Sequence, residues 1–391
     1  MAGALAVALL IALIASVRVA WSAWRDDTVT AAPTPAASPT VDGTPSAEPS
    51  PAPEPEPSPT VSKRAFPREP ITLSFAGDTH FEAPLNRLLT GPANGVDALT
   101  EALSAADFTM INLETAITTG GKPIPGKTYT FRAPPSALTW LQGLGVDAVS
   151  LANNHAADYG ASGLQDTLAA KANSPIAVIG VGANRAEAFA PVSVEIKGVK
   201  IAMITSSQLT EETSELYGAT NSRPGISTNN TSNDALLAAV AEAKATHDVV
   251  VVFLHWGTET MTCPDQRQKA TAQALADAGV DAVVGGHAHR VQGSGWTGKT
   301  FVDWGMGNFI WYNFRGASGY TGVLTITVDG GRVADREEGK DVGAVVTEQR
   351  WQPMIIGSNG IPVPATGGTL TMLEQNKAAA DKCSGLASTP N

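Results

Sequence analysis

Two histidines, His287 and His289, follow a short apolar segment and a pair of glycines. The small and β-branched residues at 281–284 predict a buried strand that stops at the glycines. In an extended chain the side chains of residues i and i+2 point to the same side, so we expect both imidazoles to face one site. For any isolated pair of this kind, the alternative is two unrelated histidines in the core or on the surface.

Polar side chains of matching types follow several other predicted strands. The chain has six histidines, and five of them lie at such strand ends, with His247 as the exception. Open α/β sheets place their ligands at the carboxyl ends of their strands. The residues at these further strand ends are Asp78, His80, Glu114, Asn154, His155 and His255. The sequence therefore predicts one site assembled from several strands.

The motifs around these residues resemble those of the CapA-type family. These are bacterial poly-γ-glutamate capsule-synthesis proteins of the calcineurin-like metallophosphoesterase superfamily. The matching motifs are Gly77-Asp78, Asn112-Leu113-Glu114, Ala152-Asn153-Asn154-His155 with Asp158-Tyr159-Gly160, His255-Trp256-Gly257 with Glu259, Gly286-His287-Ala288-His289 with Gln292, and Gly305-Met306-Gly307-Asn308-Phe309. Glu114 stands where the wider superfamily usually has an aspartate, a departure that fits the capsule branch.

The resemblance implies a centre that holds two divalent metal ions. It assigns Asp78, His80 and His289 to the first ion, Asn154, His255 and His287 to the second, and Glu114 to a bridge between them. Oxygen and nitrogen ligands without a thiolate favour Mn, Fe or Zn. Two neighbouring ions clamp the oxygens of an in-line displacement and lower the pKa of a bound water.

His155 follows the ligand Asn154 directly and is the candidate general acid for a leaving group. Asp158 lies three residues later, where its carboxylate can orient the imidazole. A packing or supporting role beside the metals is the alternative for His155. Three basic residues on nearby loops are expected to be solvated, with contact to an anionic substrate as the alternative: Lys127, Arg132 and Arg223.

Alternating strand and helix patterns must position these groups. Predicted strands such as 108–113 and 249–254 alternate with predicted helices such as 266–278, and hydrophobic residues at 43% allow a sizeable core. The resemblance implies a metallophosphatase-like α/β fold, a four-layer α/β/β/α sandwich, over residues 67–350. No clear helix is predicted between the last strands. Residues 351–391 are predicted to be a C-terminal extension that wraps the domain and then frays.

The first 66 residues differ in composition from the rest. Residues 1–24 are largely apolar, and about 20 apolar residues span a bilayer. No basic residue precedes this run, so we expect an uncleaved transmembrane anchor, with a signal peptide as the alternative. Ten prolines between residues 31 and 60 predict a disordered, extended linker over 25–66. This arrangement predicts a single-pass protein of the cell membrane whose catalytic domain lies outside the cytoplasm.

Charge and cysteine content narrow the possible partners. The formal net charge is −11 and basic clusters are lacking, so nucleic acid is not an expected partner. The two cysteines, Cys263 and Cys383, lack metal-type spacing and are expected to pair in an oxidising compartment.

The expected function is a membrane-anchored, metal-dependent hydrolase of the phosphoesterase type. It would act in the biosynthesis of capsule, poly-γ-glutamate or another envelope polymer. The expected partners are an anionic envelope or capsule polymer or its precursor, the membrane itself and capsule synthase subunits. The alternative function is a non-catalytic accessory protein for assembly or export of the capsule polymer.

Overall fold

The computed structural model of this chain describes residues 68–90 and 96–390. The predicted membrane anchor at 1–24 and the predicted linker at 25–66 lie outside the described residues. Within those residues, no helix combines the length and the apolar character needed to cross a bilayer.

Strands account for much of the described chain and are numbered here in sequence order. They are β1 (Pro70–Thr79), β2 (Phe108–Leu113), β3 (Ala116–Ile117), β4 (Arg132–Ala133), β5 (Ala148–Ser150), β6 (Ala177–Ile179), β7 (Val181–Gly182), β8 (Val192–Ile196), β9 (Val199–Ser207), β10 (Gly225–Ile226), β11 (Val249–Trp256), β12 (Ala282–His287), β13 (Ser294–Thr297), β14 (Thr300–Asp303), β15 (Tyr320–Asp329), β16 (Val346–Ile356) and β17 (Pro362–Pro364).

Helices connect many of these strands and are numbered in the same way. They are α1 (Asp97–Ser104), α2 (Ser136–Gly143), α3 (Gly160–Ala172), α4 (Arg185–Phe189), α5 (Glu212–Tyr217), α6 (Asp234–Lys244), α7 (Gln266–Asp277), α8 (Gly330–Glu337) and α9 (Gly367–Ser384). Short 3₁₀ helices lie at Leu85–Thr90 and Gly316–Gly319. The Asp265 side chain caps α7 by accepting from the Gln268 backbone amide. The Gln268 side chain accepts in turn from the Asp265 backbone amide, which completes a capping box.

Two large sheets carry the fold. The first has seven strands in the order β17-β16-β15-β1-β2-β5-β6, and the second has six in the order β13-β14-β12-β11-β9-β8. The central strands β1, β2, β5 and β6 run parallel in the first sheet. Strands β9, β11, β12 and β14 run parallel in the second. In each sheet, therefore, the carboxyl ends of neighbouring central strands lie along one edge.

The burial pattern shows four layers. Alternate residues of β1 and β11, including Phe75 and Phe253, share one core between the two sheets. The opposite face of β11, with Val250 and Val252, packs against α6 and α7 in a separate core. A third core joins the outer face of the first sheet to α1, α2 and α3. The predicted α/β class and four-layer α/β/β/α arrangement are therefore present in the described chain.

Near its C-terminal end, the fold differs from the sequence-based expectation in two places. Helix α8 lies between β15 and β16, where no helix was predicted, and Asp329 caps its first turn by accepting from the Arg332 backbone amide. Strand β16 runs across residue 350, the predicted domain boundary, and belongs to the first sheet. Residues 367–384 form a helix that packs on β13 and β16 instead of fraying. The described residues 68–90 and 96–390 all belong to one compact unit.

Candidate metal centre

The predicted site residues lie at the carboxyl ends of strands from both sheets. Asp78 lies near the end of β1, and Glu114 follows β2 directly. Asn154 and His155 lie in the loop after β5. His255 lies near the end of β11, and His287 ends β12. The first sheet therefore supplies the oxygen donors and the imidazole of His155, whereas the second supplies the imidazoles of His255, His287 and, two residues after β12, His289.

Three groups of acidic and imidazole side chains lie close enough to hold a cation. Within each group, one ligand atom per residue lies within 4.8 Å of the others. The groups are Glu114, His255 and His287; Asp78, Glu114 and His289; and Glu259, His287 and His289. The first two groups share Glu114, the residue predicted to bridge.

Glu114 is a buried carboxylate without a hydrogen-bond partner. Neither of its oxygens accepts a hydrogen bond in the described structure, and the residue is 0% exposed. Its Oε1 lies 3.5 Å from His255 Nε2 and 3.7 Å from His155 Nε2. Burial, together with the charge of Asp78, raises the pKa of Glu114 well above its ordinary value.

Asp78 is held by donors from both sheets. It accepts from Asn112 Nδ2 at 2.8 Å and from the His287 backbone amide at 3.1 Å. Its Oδ2 also lies 3.2 Å from His289 Nδ1. Burial acts to raise the pKa of Asp78, but the hydrogen bond and charge of His289 lower it overall. A Cβ at Gly286 would lie 2.7 Å from Asp78 Oδ1, so the close approach requires glycine there.

The backbone at the histidine pair is not extended, contrary to the sequence-based expectation. His287 has φ 88° and His289 has φ 52°, a region that non-glycine residues rarely adopt. The two rings nevertheless lie near each other, with centroids 5.8 Å apart. A left-handed turn, instead of strand alternation, brings both imidazoles to the site. Strained backbone of this kind concentrates at functional sites.

Asn154 and His255 contact each other directly. Asn154 Oδ1 lies 2.9 Å from His255 Nε2, and Asn154 Nδ2 donates to Glu211 Oε2 at 2.8 Å. Two of the three predicted ligands of the second ion therefore lie in direct contact. Burial lowers the pKa of His255 to about 4, which favours the neutral imidazole that binds metals.

His80 lies beside the centre but belongs to none of the three groups. Its Nδ1 accepts from the Glu82 backbone amide at 3.1 Å, whereas its buried Nε2 has no partner in the described structure. Burial lowers the pKa of His80 well below its ordinary value. The neutral ring therefore keeps one nitrogen available, and its assignment as a ligand stays a prediction.

Two asparagines form a framework that the sequence did not assign to the site. Asn112 Nδ2 donates to Asp78 and lies 3.1 Å from His255 Nδ1, so one amide contacts ligands of both sheets. Asn153 Nδ2 donates to Asn112 Oδ1, and Asn153 Oδ1 accepts from the His155 backbone amide. The motifs containing both asparagines were recognised, but sequence spacing does not show which side chains meet.

His155 and Asp158 form the predicted pair. His155 Nδ1 lies 2.6 Å from Asp158 Oδ2, and that oxygen also accepts from the Phe131 backbone amide at 2.7 Å. Burial lowers the pKa of His155 well below its ordinary value, and burial also raises the pKa of Asp158 to about 7. The structure therefore holds the ring as predicted, with Nε2 towards Glu114.

Lys127 is not solvated, contrary to expectation. Its Nζ donates to Asp158 Oδ1 at 2.6 Å and also to the backbone oxygen of Asn154. Only 7% of its side chain is exposed, so it joins the His155–Asp158 pair to the backbone of the Asn154 loop instead of facing solvent. Arg132 lies over the Tyr159 ring, and Arg223 donates to the Gly218 backbone oxygen.

Aromatic side chains enclose one side of the centre. The Phe131 ring is stacked between His80 and His155, with centroid separations of 4.4 and 4.2 Å. Trp311 lies edge-on to His80 at 4.3 Å and contacts His289 at 4.9 Å. These rings exclude water and limit the orientations open to the imidazoles.

The donor set fits divalent metal ions. Buried atoms without partners include both Glu114 oxygens and His287 Nδ1, from two residues of one close group, and also His80 Nε2 beside them. Unpartnered buried polar atoms are rare and destabilising, and a cation would satisfy them together. Carboxylate and imidazole donors without thiolate suit Mn, Fe or Zn.

Most of the described chain is similar to proteins of one known family. Residues 72–313, more than half of the chain, match the family described as "Bacterial capsule synthesis protein PGA_cap". The chain is 26% identical over 257 residues to the "PGA biosynthesis protein CapA" of Bacillus subtilis, covering 64% of this chain and 66% of that protein. It is 33% identical over 193 residues to a "Probable polyglutamine synthesis accessory protein" of Mycobacterium tuberculosis, covering 48% and 50%.

The chain thus spans less than two thirds of either relative's length. Among solved structures it is similar to a 5'-nucleotidase from Candida albicans, with 9% identity and a TM-score of 0.40. That alignment covers 81% of this chain and 60% of the nucleotidase.

Proposed function

This chain belongs to the bacterial capsule synthesis protein family, and from that premise we propose that it is a metal-dependent hydrolase. The reaction would be of the phosphoesterase type, with hydrolysis of an amide as the less favoured form. The substrate would be an anionic polymer, or a precursor of one, in capsule, poly-γ-glutamate or envelope biosynthesis.

The main observation behind this proposal is that the buried carboxylate of Glu114 has no hydrogen-bond partner and lies among imidazole side chains. Asp78, Glu114 and His289 would hold one ion, and Glu114, His255 and His287 would hold another, with Asn154 beside His255. When bound, two divalent ions polarise the scissile group and lower the pKa of a water. A protein that serves only as a scaffold has no physical need to bury this donor set.

His155 supplies proton transfer in the proposed reaction. Asp158 holds its Nδ1, and Lys127 fixes Asp158, so Nε2 is the free nitrogen and lies 3.7 Å from Glu114. A placed imidazole can hold or move a proton at this atom as the bond to the leaving group breaks. The stacked Phe131 keeps the ring in that orientation.

A substrate panel tests the proposal most directly. Phosphomonoesters, phosphodiesters and γ-glutamyl peptides would be assayed with the full chain loaded with Mn²⁺ or Zn²⁺. We expect metal-dependent turnover of at least one class, lost on chelation and restored by metal. Absence of turnover across the panel by a protein that binds metal would contradict the hydrolase proposal.

The accessory function remains the second candidate, and a named relative favours it. The M. tuberculosis protein is described as an accessory protein, and 48% of this chain aligns with it. Under the accessory function, Glu114→Gln should leave polymer export unchanged in cells. Under the hydrolase function, the same variant should impair it, because Glu114 is then needed to bind metal.

We also propose that the protein is a single-pass membrane protein with the catalytic domain outside the cytoplasm. The apolar run at 1–24 and the disulfide between Cys263 and Cys383 support this location. Protease added to intact, wall-stripped cells should release the domain. Protection of the domain from protease would indicate the opposite topology, with the domain in the cytoplasm. Release of the domain without protease would favour a cleaved signal peptide. Capsule synthase subunits are the proposed protein partners, which crosslinking in such cells would test.

A further inference from the structure

Helix α9 closes a cavity of about 190 Å³ against the segment that follows the ligand His289. We call it the α9 cavity, and its walls include Arg290, Tyr320, Thr321, Trp351, Leu373 and Lys377. The helix begins at residue 367, whereas the match to the family ends at residue 313. Of the six wall residues named here, therefore, only Arg290 lies within the family match.

Arg290 is the cation of this cavity that lacks a carboxylate partner. Its Nη1 donates to the His289 backbone oxygen at 2.7 Å and to Ser318 Oγ at 3.0 Å. Across the described ranges 68–90 and 96–390, no acidic side chain pairs with it. The other guanidinium nitrogens remain as donors, and their fork fits a carboxylate.

Lys377 also lines the cavity, but its charge is already engaged. Its Nζ donates to Asp381 Oδ1 at 2.5 Å and to Ser294 Oγ at 2.7 Å. An incoming anion would therefore meet Arg290 as its principal counter-charge. The ammonium of Lys377 serves to dock α9 on β13.

The remaining walls suit a short carbon chain with a polar end. Trp351 and Leu373 supply apolar surface, and Thr321 has a buried hydroxyl with no partner in the described structure. A molecule of water occupies about 30 Å³ in the liquid, so the cavity has room for several heavy atoms. That size matches an acid of four or five carbons better than a monatomic ion.

We propose that the α9 cavity binds a short-chain organic carboxylate. Arg290 holds the carboxylate group, Thr321 offers a hydroxyl to it, and the carbon chain lies against Trp351 and Leu373. Because Arg290 also donates to the backbone of His289, the ligand would sit directly behind the strained turn of the metal centre.

Calorimetric titration of the full chain with four probes tests the proposal. The probes are succinate, glutarate, the neutral analogue succinamide and inorganic phosphate. We expect succinate or glutarate to bind, and succinamide and phosphate to bind at least about tenfold more weakly. Succinamide lacks the charge that pairs with Arg290, and phosphate lacks the carbon chain that packs against Trp351 and Leu373. Arg290→Gln should weaken carboxylate binding by about tenfold or more for the same reason.

Two further variants separate the α9 cavity from the metal centre, where carboxylates can also bind. Binding should persist in Glu114→Gln, which disables the metal centre, and in Arg315→Gln, which removes an exposed positive charge from a nearby loop. Thr321→Val keeps the side-chain volume and should weaken binding without unfolding the protein, even if Arg290→Gln folds poorly.

Three outcomes would overturn the proposal. They are the absence of carboxylate binding at millimolar concentration, equal binding of phosphate, and loss of binding in Glu114→Gln with retention in Arg290→Gln. None of them bears on the proposed hydrolase function, because no step of that function uses the α9 cavity.

Discussion

Among residues 68–90 and 96–390, two buried carboxylates lack hydrogen-bond partners on both oxygens, and their surroundings differ. Glu114 lies within ion-pair distance of two imidazoles, those of His155 and His255. Asp303 lies at the end of β14, where the ammonium of Lys377 is the main opposing charge. Burial raises the pKa of both groups, to about 7 for Asp303.

This difference separates a group of side chains that could hold a cation from a cluster that already contains one. Near Asp303, Lys377 Nζ donates to Ser294 Oγ and to Asp381, and Ser294 Oγ donates to Gln349. Near Glu114, by contrast, burial lowers the pKa of His255 and of His287, and His287 Nδ1 has no partner. A partnerless buried carboxylate therefore indicates a metal site only when its neighbours are themselves metal ligands.

The largest effect should come from Glu114→Gln. Loss of the shared carboxylate should lower bound metal from about two ions per chain to less than one, because the bridge serves both ions. Activity should fall by about 10³-fold, since metal polarisation contributes several kcal/mol. Elemental analysis of protein purified without chelator measures the metal, and Asp303→Asn is the matched control that should retain it. Equal metal loss in both variants would remove the distinction between the two carboxylates.

His155→Asn should reduce turnover without removing metal. Asparagine cannot supply the proton at Nε2, and a placed acid or base contributes about 10²–10⁴-fold. The loss should be large for substrates with poor leaving groups and small for nitrophenyl esters, which leave unaided. If the variant instead loses a metal ion, His155 is a ligand, and if turnover is unchanged for every substrate, the catalytic role is wrong.

Lys377→Met should destabilise the fold and leave the metal centre intact. Breaking a buried ionic cluster leaves Asp303 and Asp381 without their cation, and such losses are about 3 kcal/mol. Urea denaturation measures the change, and elemental analysis should show unchanged metal content.

The same variant has a defined dependence on pH. The folded-state pKa of Asp303 is raised above its unfolded value, so the folded state binds more protons between about pH 4 and pH 7 and its stability falls as pH rises through that window. Without Lys377 the ionised form of Asp303 loses its opposing charge. The stability deficit of Lys377→Met should therefore grow from pH 5 to pH 8. A deficit that does not change with pH would exclude Asp303 as the cause.

Removal of the disulfide tests how firmly the Asp303 cluster is anchored. Cys263 and Cys383 are bonded, as predicted, and join the loop after β11 to α9, which carries Lys377. The double variant Cys263→Ser and Cys383→Ser should lose about 2 kcal/mol, towards the low end of the range for long loops. Metal content should not change. Two free thiols in unreduced native protein would contradict the bond itself.

The smallest effect should come from Phe131→Leu. Leucine keeps the pocket apolar but removes the ring that is stacked between His80 and His155. The imidazole of His155 can then adopt more orientations. We expect kcat to fall by about tenfold with little change in KM, because misplacement of a reacting group is costly. Stability should fall by about 1 kcal/mol. Phe131→Tyr, which retains the ring, should recover most of kcat, and a failure to recover would limit Phe131 to packing.

The sequence alone determined the class of fold and most of the centre. Apolar runs such as Val249–Leu254 must be buried on both faces, which requires helices outside the sheets. Polar groups placed directly after such runs must then lie at one sheet edge, because parallel strands end together. The family's motifs recur at these positions, so the residues of all three groups except Glu259 were assigned as ligands from sequence.

Only the tertiary structure decided which side chains meet. Asn112 joins Asp78 to His255, residues 177 positions apart in the chain, and spacing along a chain carries no information about such distances. Lys127 became buried because Asp158 and the Asn154 backbone enclose it. The turn at His287 and His289 has positive φ, and the His287 backbone amide there donates to Asp78, for which Gly286 leaves room. Local propensity favours the extended alternative, and only contacts between the two sheets offset that preference.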